Sequence, residues 1–303
     1  MSQRPALTLA VILVSLFVLF LALSYGLLRI IDQRHRVGDG RGPHVGVVAI
    51  TGEIQDLSHE VDELWSFIHD DSIAAIVVRV DSPGGAVGAS QEMFHAILNG
   101  RDKKKIVTSM GNLAASGGFY LAVAGNKVFA NDGTITGSIG VISQFFGVQK
   151  LAERALIDPV TVKSNEYKDS GSPFRAFTDQ DRAYFQELTD EIHSQFVADV
   201  AKARGLPLEE VKKRADGKVF SGRQALSYGL VDQIGGLHDA AMAALKLAGR
   251  DLAPGDTGPV LVYPEEPGAF LQGWIDQLGS SIAGNIKRSF RGFSDWSQLV
   301  RLP

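Results

Sequence analysis

The 303-residue chain contains no cysteine, and that one absence removes disulfides, thiolate catalysis and cysteine-ligated zinc together. An excess of one charge sign is missing too. Lysine and arginine number 30 against 34 acidic residues, for a net charge of −4 and a pI near 6.0, so there is no electrostatic case for nucleic acid. Histidine is sparse, at positions 35, 44, 59, 69, 95, 193 and 238, and never takes the H-E-x-x-H spacing of a helical zinc site. Two of the seven lie in or beside a polar linker, and most others sit among polar helical neighbours. No metal and no cofactor is expected. The G-x-S-x-G elbow of α/β-hydrolases is absent as well.

What is present begins with a long uncharged run. Between Arg4 and Arg29 lie 24 residues without a charge, "PALTLAVILVSLFVLFLALSYGLL". As a helix they reach roughly 36 Å at about 1.5 Å per residue, enough for a hydrocarbon layer of about 30 Å. A cleaved signal peptide competes, since "ALS" at 22–24 has the form of a cleavage site, but the run exceeds the usual hydrophobic region of about 7–15 residues. The expected organisation is a tail at 1–5, a transmembrane anchor at 6–28 and a glycine-rich linker at 29–44. Arg4 precedes the span, whereas Arg29, Arg34 and Arg36 follow it. By the positive-inside count the bulk of the chain faces the cytoplasm.

From Val45 the pattern is α/β. "VGVVAI" (45–50) and "IAAIVVRV" (73–80) read as strands buried on both faces, with an amphipathic helix at 57–69 between them. A helix near 89–98, a strand at 105–110, a helix opening at 114–117 and short strands near 127–130 and 134–142 follow. "VTV" (160–162) reads as a strand leading to a long helix over 179–204 with Thr178 as its N-cap. The alternation predicts largely parallel strands in a single domain, 45–263, without internal repeats. Beyond it, 264–303 carries an apolar stripe (Phe270, Trp274, Leu278, Ile282, Ile286, Phe290) on an amphipathic helix. That helix either packs on its own domain or docks on a bilayer or a neighbouring subunit.

Four motifs carry chemistry. "DSPGG" (81–85) follows the strongest strand, and bare backbone at Gly84 and Gly85 can aim N–H groups into a cleft, as an oxyanion hole requires. Read alone, it is equally a strand-to-helix turn. Ser116 in "AASGGFYLA" stands between alanines and glycines, open to a close approach, with Gly117 supplying the next N–H. It is a nucleophile or a packing point. A nucleophilic serine needs a base, and a desolvated neutral lysine can serve. Lys168 in "YKDSGSPFR" is the candidate, with Lys163 and Lys150 as competitors. Ser138 in "TGSIG" sits in a tight turn where a hydroxyl can orient an amine.

Together "DSPGG", "AASGGFYLA", "TGSIGV" and "YKDSGSPFR", with "FSGRQALSYGLVDQIGG" (220–236), resemble the bacterial signal peptide peptidases of the SppA type in their shorter single-domain form. The resemblance covers roughly 45–247, and the 52 positions from Ser116 to Lys168 agree with that family's spacing. It implies a fold similar to ClpP and the crotonases, built of stacked ββα units, and a serine–lysine dyad. By position Ser116 is then the nucleophile, Lys168 the general base and Ser138 the orienting hydroxyl. Gly84 is an oxyanion donor, beside the backbone N–H next to Ser116. It further implies remnant signal peptides as substrates, homo-oligomers, and a peptidase domain outside the cytoplasm of the bacterial inner membrane, opposite to the arginine count. Asp169 is expected to point away from Lys168, because its carboxylate would hold the amine protonated. Two other classes remain: an acyl-CoA enzyme of the crotonase type, and a catalytically silent membrane scaffold.

Overall fold

Strand β3 (Ile73–Gly85) explains the architecture, because its apolar run has no polar alternation. Ile76, Val78 and Val80 join one hydrophobic cluster and Ala75 and Val77 another, all fully buried. A strand covered on both faces must sit inside a sheet flanked by helices. The structure, a computed structural model, describes residues 15–20, 36–37 and 41–264. It divides into two compact units, Val37–Val262, and Met1–Arg36 together with Tyr263–Pro303.

In the unit formed by the termini, residues 15–20 are helical (α1) with exposed side chains, and a two-residue strand, β1 (Arg36–Val37), ends at the boundary. The expected anchor at 6–28 otherwise lies outside the described residues, as does the expected tail helix beyond 264. Among the described residues no helix is long and apolar enough to cross a membrane.

The larger unit is a mixed α/β fold around a central sheet. Its strands are β2 (His44–Ile54), β3, β4 (Ile106–Ala115), β5 (Lys127–Ala130), β6 (Ile135–Gly137), β7 (Val219–Ser221), β8 (Gln233–Ile234) and β9 (Val260–Val262). The parallel order is β9-β2-β3-β4-β5-β8. β4 pairs with β5 over Val107–Ser109 and then with β6 over Leu113–Ala115, and β7 joins β6 antiparallel. The larger cluster takes in α2 (Ser58–His69), α3 (Val87–Gly100), α4 (Gly117–Ala122) and part of α6 (Asp179–Arg204). α9 (Leu237–Leu247) covers the other face through Ala240, Ala241, Ala244 and Leu245.

Three expectations change. β2 and β3 run past 50 and 80, because Glu53 pairs with Gly84 and Ile54 with Gly85, so "DSPGG" is strand rather than the turn after it. Residues 114 and 115 end β4, and the helix opens only at Gly117. The expected strand at 160–162 does not form. Val160 and Val162 are 84% and 95% exposed and no strand among the described residues supplies a ladder, so β-branched residues alone do not hold an extended pair there. The long helix begins as read: Thr178 Oγ1 accepts from the Asp181 N–H, and Asp181 closes the capping box.

Phe67 on α2 is buried against the sheet beneath Gly46, where an added Cβ would lie 2.8 Å from the ring. Phe67→Ala is expected to cost about 3–5 kcal/mol in urea unfolding. A loss under about 1 kcal/mol would show that this layer is not close-packed.

Candidate active site

Ser116 occupies the single residue between β4 and α4, with φ 52° and ψ −122°. A non-glycine residue held there stores strain on the order of 1–3 kcal/mol, sustained only where surroundings over-determine it. They do. The Ser116 N–H donates to the Gly137 carbonyl at 2.9 Å, and the Ser116 carbonyl accepts from the Tyr120 N–H at 2.9 Å. The small neighbours are a packing necessity: a Cβ at Gly117 would run into Ser90 Oγ, and one at Gly118 would lie 2.8 Å from the Ser82 carbonyl oxygen.

Gly84 closes the turn from the other side. At φ +97°, an added Cβ would sit 2.5 Å from Gly117 N and 2.8 Å from Ser116 Cβ. Asp81 and Ser82 hold the strand end in this place. The β3–β4 register breaks between Val80 and Ser82, and Asp81 accepts the Asn112 and Leu113 N–H groups at 3.2 Å each. Buried Ser82 accepts the Gly84 N–H at 3.1 Å. The Gly84 N–H is thereby occupied, while Gly85 is exposed and borders Gly117.

Ser116, Gly84, Gly85, Gly117 and Ser138 line one cleft of about 760 Å³. Ser138 also has positive φ (52°), pinned by its N–H donating to the Lys218 carbonyl at 2.8 Å. The far wall is α6, through Ile192, His193 and Phe196. Tyr120 ties the two walls together, its ring 4.4 Å from that of Phe196 and its hydroxyl donating to the Asp199 carboxylate. Burial first, and that carboxylate second, push the phenol well above its ordinary pKa.

Lys168 is not brought to this cleft. It lies exposed on a 3-10 turn (Glu166–Asp169), and its amine makes no hydrogen bond or ion pair among the described residues. Its competitor Lys163 is occupied, donating to Asp169 Oδ1 at 2.8 Å and to the Glu166 carbonyl at 3.0 Å. Lys150 lines a second groove of about 820 Å³ that shares Val141, Ile142, Gln186 and Thr189 with the first. The Asp169 carboxylate faces Lys163 and Arg175, and the bond from Lys163 leads in holding it below its usual pKa.

Sequence reasoning passed over the α6 wall. His193 lines the cleft, and its Nε2 is buried without a hydrogen-bond partner. Only helical phase relative to Phe196 and Val200, both buried, could have flagged it.

Comparison with known proteins places the chain among peptidases. The model of peptidase family S49 matches residues 99–251, and that of Clp protease residues 44–134. A Synechocystis protein named as a protease is 42% identical over 205 residues, 67% of this chain and 74% of that protein. The chain belongs to peptidase family S49. An Enterococcus faecium protein named as a signal peptide peptidase SppA is 34% identical over 248 residues, 78% of this chain and 69% of that protein. The chloroplastic serine protease SPPA of Arabidopsis thaliana is 31% identical over 236 residues, but these are only 34% of its length. The family makes this chain a serine endopeptidase.

The Gly84–Ser116 approach leaves no room for a methyl group. If Ser116 reacts, Gly84→Ala is expected to lower kcat/KM at least about 100-fold while leaving the far-UV spectrum intact, because the new methyl displaces the serine. Activity within threefold of wild type would show that the approach is not critical.

Proposed function

We propose that Ser116 is the nucleophile and Lys168 the general base of a membrane-anchored endopeptidase that degrades remnant signal peptides on a ClpP/crotonase-type scaffold. The observation that carries this is the strained Ser116, lining one cleft with Gly84, Gly85 and Gly117. The neutral Lys168 amine takes the proton from Ser116, whose oxygen attacks a peptide carbonyl. Gly85 and Gly117 hold the oxyanion, Ser138 orients the amine, the ammonium protonates the leaving amine, and water releases the acyl-enzyme. Names of relatives in the family support signal peptides as the substrate class.

A lysine base working near pH 8 must come down from an ordinary pKa of about 10.4, roughly 3.3 kcal/mol, and desolvation is the usual means. An exposed turn supplies none. We therefore infer that a second copy completes the site in a homo-oligomer. Exposed apolar side chains between β6 and α6 support this, since Ile142, Phe146, Leu156 and Val162 expose 71–95% of their surface. The uncharged run at 6–28 supports anchoring, and the peptidase domain is placed outside the cytoplasm. A reporter fused at Pro303 and active only in the cytoplasm would refute that placement.

One observation favours a second reading, in which unpartnered His193 serves as the base within the same chain. The two separate cleanly in peptide hydrolysis. Lys168→Ala is expected to lose at least about 1000-fold in kcat and His193→Ala less than tenfold. Mixing Ser116→Ala with Lys168→Ala protein is expected to restore partial activity. Retained activity in Lys168→Ala with loss in His193→Ala reverses the assignment, and a mixture without activity refutes the shared site. Absence of peptide hydrolysis by the wild type would instead favour an acyl-CoA enzyme or a silent scaffold.

A further inference from the structure

Lys168 stands beside a carboxylate, and the structure contains a device that deals with it. Asp169 and Asp181 are bridged by one guanidinium. Arg175 Nη1 and Nη2 meet Asp181 Oδ2 and Oδ1 at 2.5 and 2.8 Å, a two-pronged ion pair with a carboxylate that is 3% exposed. On its other side, Arg175 Nε lies 3.2 Å from Asp169 Oδ2, and Nη2 donates to Asp169 Oδ1 at 3.3 Å. Asp181 is itself fixed by the Thr178 N–H and hydroxyl at 3.0 and 2.8 Å, so the bridge is anchored to the first turn of α6. Planar two-pronged recognition is a geometry that lysine cannot reproduce.

We propose that Arg175 is a positioning residue for the general base, pinning the Glu166–Asp169 turn to the start of α6 and drawing the Asp169 carboxylate away from the Lys168 amine. This rests on the Ser116–Lys168 reading and adds to it why "YKDSGSPFR" ends in arginine. Without the bridge, Asp169 is free to pair with its neighbour, and a carboxylate beside an amine favours the charged, non-basic form. The other groups around the turn leave this logic intact. Lys163 takes part of the Asp169 charge, Lys150 and Arg182 line the adjoining groove, and Tyr184 packs on Tyr167 with 5.3 Å between ring centroids. The bridge holds across the working range. Arg175, followed by Thr178, keeps the Asp181 carboxyl below its ordinary value of 3.8. Its stabilisation is therefore complete above that value and lost only as the pH falls through the lowered one.

The test is the pH profile of kcat/KM for the full-length enzyme. Arg175→Gln is expected to move the midpoint of the acid limb up by about one pH unit, a tenfold loss at fixed pH on that limb. Arg175→Gln with Asp169→Asn should bring the midpoint back to that of wild type, although both variants lose the partner of Asp181 and melt earlier. A merely structural arginine would lower Tm in both variants and leave the midpoint alone, which overturns the proposal. Lys163→Gln covers the case in which Arg175→Gln does not fold. It strips the other cation from Asp169 without touching Asp181, and the midpoint should rise by about half a unit; no rise again overturns the proposal. Lys168→Ala runs in parallel. If it stays active, the base is wrongly assigned and the proposal falls with it. If it is inactive while Arg175→Gln keeps the wild-type midpoint, only the positioning role is refuted.

Discussion

The left-handed backbone of Ser116 is the constraint on which the site depends. The turn from β4 to α4 has one residue in it, so the chain must reverse there, and Ser116 takes the strain. It holds because Gly137 receives its N–H, Tyr120 donates to its carbonyl, and Gly84 presses against its Cβ. Each partner comes from a different element. Gly84 reaches it only because the β3–β4 register breaks after Val80, with Asp81 accepting the N–H groups freed on β4. The Ser116 turn and the sheet irregularity are thus one structural event. Flattening the sheet would relax the serine.

A second theme is the division of labour along α6. Its C-terminal half belongs to the core through Phe196, Val197 and Val200, while its middle walls the cleft with Ile192 and His193. Its first turn, sealed by Thr178 and Asp181, takes the ion bridge from Arg175. One rigid element therefore spans the Ser116 cleft and the segment that carries Lys168. An endopeptidase gains from this, because a shift of about 1 Å in a reacting group costs on the order of 100-fold in rate.

Much of the cleft was legible in the sequence because glycine and serine identities record close approach. "DSPGG", "AASGG" and "TGSIG" each mark a place where a side chain would collide, and the fold brings all three to one cleft. Strand identity was legible for β2 and β3, since runs buried on both faces need no alternation. Less local properties were not. That the Gly84 N–H is taken by Ser82 depends on a side-chain rotamer that no pattern predicts. "VTV" resembles a strand by composition, but a strand also needs a neighbour to pair with, which 160–162 lacks. Lys168 matches its motif and yet lies outside the cleft of its own chain, because local spacing does not fix where an exposed turn sits relative to a distant cleft. His193 was discounted as one of several helical histidines. Its place on the cleft wall follows from the packing of α6, which only the folded chain defines.

If the strained Ser116 is the residue that reacts, covalent capture by an active-site reagent will map to it. The enzyme is treated with a fluorophosphonate, digested, and the modified peptide sequenced by mass spectrometry. A single adduct on Ser116 is expected, formed in folded protein and lost on denaturation before treatment. An adduct on Ser90 or Ser138, or none on an enzyme that still cleaves peptides, would contradict it.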